Sequence, residues 1–299
     1  MSHTNEPTHR EHYVPRMYLR RFCEPPKKKG KQAQQIWAYD IQKKCYCSMA
    51  IDSVCFEHDL YEIKDASGNI VHQNQIEKRL AQFEYRFSTV LTAIVKRTKY
   101  DKNLLTHCFL NKKEKAMLIW WLYLQIARTP STITVAKNLA EELLPDLGES
   151  TDASNIAVWS CLEPLIKGRI DMEKPGLFQK MAHWFTDMAF VIGRCSQPQL
   201  FTCDNPIYLF HPNKDAVDFN TERPERIIFP LDPTAVLIMI PNNKENTGNR
   251  NIMINLTDEL LKEVQWCMAR SAKRWIFSHQ RFSNTQITLI KSAREDING

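Results

Sequence analysis

The stretch EHYVPRMYLRRF, at residues 11–22, places a histidine and two arginines where they could bind a phosphate. A helix that starts at Pro15 would place Arg16 and Arg20 on one face, one turn apart. His12 would lie just before that helix, near the positive end of its dipole. A phosphate could bind between this end and the arginines. A surface helix anchored by apolar side chains explains the same pattern.

Two glutamates, Glu77 and Glu84, lie seven residues apart in a segment whose apolar residues have helical spacing. They therefore share one stripe of the predicted helix. Paired carboxylates can bind a divalent cation or divide acid and base roles between them. An exposed face with salt bridges is the commoner outcome for such a pair.

The segment LQIARTP, at residues 124–130, ends a predicted helix that is otherwise almost wholly apolar. Gln125 and Arg128 share a face of this helix with Trp121. Buried amide and guanidinium groups need partners. Arg128 is therefore expected either to pair with an internal carboxylate or to face a ligand, and the sequence leaves both open.

The segment FTCDNPIYLF, at residues 201–210, contains an Asp-Asn-Pro turn between two apolar runs. Asp204 and Asn205 favour turns in which the side chain binds nearby backbone, and Pro206 fixes the exit. The functional alternative is that Asp204 projects from a strand end as a metal ligand, a base or a partner of Arg128.

The chain contains nine cysteines, which we interpret as reduced thiols of a cytoplasmic protein because no secretory signal is visible. Cys45, Cys47, Cys55 and His58 could supply four ligands to zinc. The C-x-C spacing is less usual than C-x2-C and also fits a β-hairpin, so we do not expect zinc there.

The net charge of +6 is confined to the N-terminal segment 1–44, which contains 10 Lys and Arg against 4 Asp and Glu. Its densest part is the run KKKGK, with Lys27, Lys28, Lys29 and Lys31. A basic arm can attract nucleic acid or nucleotides, although a solvated, lysine-rich loop tip is the favoured explanation of this run. The sequence has no glycine-rich phosphate loop.

These residues must be positioned by helices and strands, and the order of the helical and strand patterns along the chain predicts an α+β fold in a single domain, residues 1–299. We expect a small N-terminal β-hairpin between residues 34–42 and 50–63, then a helical core at about 74–188. An antiparallel sheet should occupy about 189–290. No apolar run is long enough to span a bilayer, so we expect no membrane association.

The motifs HYVPRMYLRRF, IEKRLAQFE, LQIARTP, FTCDNPI and FPLDPTAVLIMI occur in the order seen in a bacterial family. The chain resembles this domain of unknown function, whose hallmark is HYVPxxYLRxF, over about residues 10–280. The family pattern often has Ser-Asp-x-Pro where this chain has Cys203-Asp204-Asn205-Pro206, and it does not require the cysteines. The resemblance implies signature positions for eight polar residues: His12, Arg20, Glu77, Glu84, Gln125, Arg128, Asp204 and Asn205.

Convergence of these residues would suit phosphodiester hydrolysis with Mg²⁺ or Mn²⁺, as by a nuclease in bacterial defence or toxicity. In this hypothesis Glu77, Glu84 and Asp204 bind the metal, and His12, Glu84 and Asp204 are catalytic. The substrate-binding residues would be Arg16, Arg20, Gln125, Arg128 and Asn205. A nucleotide or nucleic-acid sensor without turnover, or a purely structural polar network, are the alternatives.

Overall fold

The computed structural model describes residues 10–24, 34–65, 67–71, 74–100, 109–147, 152–167, 177–211, 223–242 and 251–298. The lysine-rich run at 27–31 lies outside these residues. The described part of the chain combines α-helices with antiparallel and mixed sheets, which confirms the predicted α+β class.

The N-terminal part consists of short strands and one short helix. In chain order these are β1 (Arg10–His12), α1 (Arg16–Leu19), β2 (Gln35–Asp40), β3 (Cys45–Ala50), β4 (Phe56–His58), β5 (Ile63–Lys64) and β6 (Ile70–Val71). A 3-10 turn, Arg20–Phe22, continues α1. The predicted helix after Pro15 is therefore present, although its second half is tighter than an α-helix.

The predicted hairpin is present, but its second strand was wrongly assigned. Strand β2 pairs with β3, which contains the residues expected to form the connection. The chain reverses within 41–44, where Lys44 adopts a positive φ of 52°. Residues 50–63 instead contribute β4, which pairs with β1.

The helical part contains the long apolar stripes that the sequence predicts. It comprises α2 (Gln75–Tyr100), α3 (Lys112–Ala127), α4 (Pro130–Leu147), α5 (Ala153–Lys167) and α6 (Leu177–Thr186). Asn111 and Glu114 form the predicted capping box at the start of α3. Pro130 does more than end α3, because it is also the first residue of α4.

The C-terminal part is β-rich, as predicted. Its elements are β7 (Met188–Arg194), β8 (Thr202–Cys203), β9 (Tyr208–Phe210), β10 (Arg226–Asp232), β11 (Ala235–Pro241), β12 (Asn251–Asn255), α7 (Asp258–Ser271), β13 (Trp275–Ser278) and α8 (Asn284–Asn298). Strand β12 pairs parallel with β7, so this sheet is mixed rather than purely antiparallel. Strands β8 and β13 do not join it and complete a second sheet with β2 and β3.

The five-stranded sheet, in the order β12-β7-β11-β10-β9, separates two hydrophobic cores. Along β10, Ile227 and Phe229 contribute to the core with the helices, whereas Ile228 contributes to the core with α7 and the second sheet. This alternation follows from the two-residue period of a strand. Burial on both faces explains why β10 and β11 are continuous apolar runs.

Tyr18 of α1 fastens the N-terminal segment to both sheets. Its fully buried hydroxyl is 2.7 Å from Thr202 Oγ1 and donates to the Pro230 carbonyl at 2.7 Å. Its ring stacks on Phe229 at 5.2 Å. The signature helix therefore lies at the surface with one face anchored in the core, as the surface-helix interpretation of the pattern predicts, while Arg16 and Arg20 are exposed.

We expect Tyr18→Phe to lower the free energy of unfolding by about 1–3 kcal/mol, because the buried carbonyl and hydroxyl lose their partner. Urea denaturation measures this change. Tyr85→Phe is the matched control, because Tyr85 is 79% exposed and should change stability by less than about 0.5 kcal/mol. Equal losses in the two variants would contradict the role assigned to Tyr18.

Candidate functional site

Several segments that are distant in sequence meet around a cavity of about 510 Å³. This main cavity is lined by residues 13, 53–57, 129–131, 204–205 and 273–275. Three of the segments overlap the HYVP, ARTP and DNP motifs. Three of the five motifs that carry the family resemblance therefore meet at one place, although not all of their polar residues line it.

One wall of the main cavity is built on the buried carboxylate of Asp204. It accepts backbone N–H groups from Lys273 at 2.8 Å, Arg274 at 2.7 Å and Trp275 at 3.0 Å. Burial raises the pKa of Asp204, and the three N–H donors oppose that rise. The carboxylate thus fixes the backbone between α7 and β13, and the predicted pairing of Asp204 with Arg128 is not what the structure shows.

Asn205 strengthens the same wall through Ser271 at the end of α7. Its amide donates to the Ser271 carbonyl at 3.3 Å, and the Ser271 hydroxyl donates to the Asn205 carbonyl at 2.6 Å. The predicted Asp-Asn-Pro turn is therefore joined to a helix end as well as to a strand. Asn205 remains a lining residue of the main cavity.

The opposite wall depends on the buried guanidinium of Arg128. It donates to Glu84 Oε1 at 2.6 Å and to the His12 carbonyl at 2.5 Å. Gln125 donates to the next carbonyl, that of Tyr13, at 2.9 Å. Of the two outcomes left open for Arg128, the structure shows the internal carboxylate. Gln125 of α3 and Arg128, the residue after that helix, together hold the HYVP backbone.

The start of α4 completes this wall. The Thr129 hydroxyl caps this helix by accepting a hydrogen bond from the Thr132 N–H, with 3.4 Å between the oxygen and the nitrogen. Thr129, Pro130 and Ser131 all line the main cavity. The positive end of an 18-residue helix therefore opens onto it.

The phosphate-binding site expected at α1 is not formed. Arg16 pairs with Asp52 at 2.7 Å, and about half of each side chain is exposed. Arg20 is exposed at the start of the 3-10 turn. Neither arginine lines the main cavity. In addition, α1 has only four residues, and Arg16 already has a carboxylate partner.

His12 reaches Arg128 through its carbonyl rather than its ring. The ring lies 5.8 Å from that of Phe56, and Nε2 has no partner among the described residues. Burial, aided by the neighbouring Arg16 charge, lowers the pKa of His12 to about 4. The imidazole is therefore neutral at pH 7, and it is not among the residues that line the main cavity.

Glu77 and Glu84 share a stripe of α2, as predicted, but they do not meet Asp204. Glu84 pairs with Arg128, whereas burial raises the pKa of Glu77 against the effect of the Arg128 charge. Within the described ranges, no group of three or more His, Cys, Asp and Glu side chains could hold a metal ion. The predicted metal set of Glu77, Glu84 and Asp204 is thus not brought together.

The cysteines considered for zinc lie in different surroundings. Cys45 and Cys47 are exposed on β3, and His58 is exposed on β4. Cys55 is buried, lines the main cavity and has a pKa raised well above its usual range by burial. The eight cysteines in the described part of the chain are free thiols.

The lining residues that sequence reasoning missed come from the segment at 273–275. Lys273 and Arg274 are exposed, and the Arg274 guanidinium lies 4.8 Å from the Trp275 ring centroid. The run Lys273-Arg274-Trp275 at the start of β13 is visible in the sequence and could have indicated a binding surface. Its link to Asp204 was not visible, because that link runs through backbone N–H groups.

Residues 10–282 match a family described as a protein of unknown function, DUF4238. The chain belongs to this family. No curated protein matches the DUF4238 chain, and no solved structure matches it. None of the helices in its described part combines the length and apolar character that a membrane crossing requires.

We expect Asp204→Asn to lower the free energy of unfolding by about 2–4 kcal/mol, because an amide offers one acceptor oxygen where a carboxylate offers two. Thermal and urea denaturation measure the loss. Asp258→Asn is the control, since Asp258 is exposed in the first turn of α7 and its change should stay below about 1 kcal/mol. A mild effect at Asp204 would show that the 273–275 backbone is held by other contacts.

Proposed function

We propose that the DUF4238 chain binds a ligand that carries a phosphate group beside an aromatic ring, as a nucleotide or a nucleic-acid end does. The observation that supports this most strongly is the composition of the main cavity. It combines a helix N-terminus, two exposed cationic side chains and aromatic rings within about 510 Å³. This volume lies within the range of about 300–1,000 Å³ that is usual for small-molecule sites.

The phosphate would bind between the start of α4 and the 273–274 segment. The first turn of a helix attracts anions through its N–H groups and dipole, and the Ser131 hydroxyl can add a donor. Lys273 and Arg274 would approach from the other wall. The Arg274 guanidinium lies 3.4 Å from Asp40, which is a loose contact that leaves donors for a ligand.

The base would bind against the aromatic side chains of the cavity. Trp275 and Phe56 are both partly exposed lining residues. A guanidinium already lies over each ring, Arg274 at 4.8 Å and Arg10 at 3.8 Å. Flat aromatic faces flanked by arginines suit base stacking without sequence preference.

The negative charge of Asp204 does not oppose an anion strongly. Its carboxylate already accepts three backbone N–H groups, whose dipoles offset the charge. Glu57 is exposed to solvent at the edge of the cavity, where water screens it.

Phosphodiester hydrolysis with Mg²⁺ or Mn²⁺ is the catalytic form of this proposal, and binding without turnover is the sensor form. Since Glu77, Glu84 and Asp204 are not grouped, the metal would enter with the substrate phosphates, as Mg²⁺ commonly does. Free thiols on the surface, Cys45 and Cys47, favour a reducing compartment such as the bacterial cytoplasm for either form.

We expect the wild-type protein to bind nucleoside phosphates or short single-stranded RNA or DNA in isothermal titration calorimetry. Lys273→Ala should weaken binding about tenfold or more, which corresponds to about 1.4 kcal/mol. This variant keeps the backbone N–H that binds Asp204, so the wall stays intact. Lys262→Ala is the control, because Lys262 is an exposed lysine of α7 that does not line the cavity.

Chromatography of the recovered ligand after incubation with Mg²⁺ or Mn²⁺ separates the two forms. Cleaved ligand supports the hydrolase, whereas unchanged ligand supports the sensor. Failure of every nucleotide and oligonucleotide to bind would overturn the proposal and favour a purely structural network.

A further inference from the structure

A second, much smaller cavity lies between β1 and the start of α2. It is lined by residues 11, 61–63, 71 and 74–76. Its volume of about 10 Å³ is room for about one water-sized group. The main cavity and the nucleotide proposal do not involve it.

A buried carboxylate with an unpaired oxygen faces this small cavity. Glu11 is 1% exposed, and its Oε2 accepts the Tyr61 N–H at 2.7 Å. Its other oxygen, Oε1, is buried and has no partner among the residues that the structure describes. A carboxylate oxygen in that position is costly unless something donates to it.

Asn74 presents a second unpaired oxygen to the same cavity. As the residue before α2 it would ordinarily cap the helix with its side chain. Instead Oδ1 is buried with no described partner, and the residue adopts a positive φ of 56°. The Asn74 N–H donates to Glu62 Oε1 at 2.8 Å, which brings a second carboxylate to the cavity.

The surroundings of Glu11 are strongly negative. Burial, together with the carboxylates of Glu62, Glu77 and Asp59, raises the pKa of Glu11 to about 8, against the opposing effect of the Tyr61 N–H. The guanidinium of Arg128, which lies near Glu77, is already paired with Glu84. The two buried side-chain atoms that lack a partner among the described lining residues are both acceptor oxygens, so a positively charged group would satisfy them.

We propose that the small cavity binds one Ca²⁺ ion between Glu11, Glu62 and Asn74. Two carboxylates and an amide oxygen suit a hard cation that accepts mixed oxygen ligands and irregular geometry. Zinc would need His or Cys ligands, and the described residues group no three His, Cys, Asp or Glu side chains for a metal. Mg²⁺ demands near-ideal octahedral geometry, which this irregular set of oxygens on separate segments does not offer.

A cation there would tie the strand that carries His12 to the start of α2. Glu11 immediately precedes the HYVP segment, whose backbone is held by Arg128 and Gln125. Ca²⁺ would therefore stabilise the N-terminal segment and, with it, one wall of the main cavity.

A thermal-melting experiment with the full chain tests this proposal, using CaCl₂ with MgCl₂ and NaCl at matched ionic strength. At about pH 9, Ca²⁺ at about 100-fold above its Kd should raise Tm by about 5 °C or more. At about pH 6 the shift should shrink. Because the pKa of Glu11 is raised, protonation of its carboxyl stabilises the folded state. This contribution is complete below the ordinary pKa of 4.5 and is lost as the pH rises through about 8.

Glu11→Gln should abolish the Ca²⁺ shift and, without Ca²⁺ at about pH 9, should melt above the wild type because the unpaired charge is gone. Glu57→Gln is the matched control, because Glu57 is the exposed cross-strand neighbour of Glu11 and should keep the full shift. Asn74→Ala should reduce the Ca²⁺-induced shift in Tm. This variant replaces Glu11→Gln as the test if the latter does not fold. No Ca²⁺ shift in the wild type, or an equal shift in Glu11→Gln, would overturn the proposal.

Discussion

The buried guanidinium of Arg128 is the interaction on which the N-terminal half of the structure depends. A guanidinium that is 2% exposed loses its water, which costs several kcal/mol unless other groups replace it. Glu84 replaces it with charge, and the His12 carbonyl and the Tyr61 hydroxyl replace it with acceptors. Because these partners come from α2, β1 and the loop after β4, the position of each is fixed by one side chain.

On the other wall of the main cavity, the negative side chain of Asp204 likewise fixes a neighbouring segment. In both places a buried charge binds backbone groups of a neighbouring segment rather than a ligand. Tyr13, which follows the His12 carbonyl held by Arg128, and residues 273–275, which are held by Asp204, present their own side chains to the cavity. In this DUF4238 chain the buried charges form the walls, and the adjacent residues are the ones available to a ligand.

Local signals predicted the helices well, because the apolar stripe of α2 and the capping box of α3 are properties of neighbouring residues. Pairing was less predictable. The β2–β3 reversal depends on a positive φ at Lys44, and parallel β12 joins the sheet across a long separation in sequence. For the site, the need of Arg128 for a carboxylate was predictable. The backbone partners of Asp204 were not, since any residue type provides an N–H group.

The balance of charges around Arg128 links the two cavities. Three carboxylates, those of Glu84, Glu77 and Glu11, lie in this part of the structure. Arg128 lies close to Glu84 and Glu77 and forms its ion pair with Glu84, and Glu77 in turn lies near Glu11. The other two are left with a buried oxygen each that has no partner in the described part of the chain. Since a buried charge without a counter-charge is unstable, each must take up a proton or share a cation. The arrangement that holds the HYVP segment therefore creates the electronegative cavity beside it.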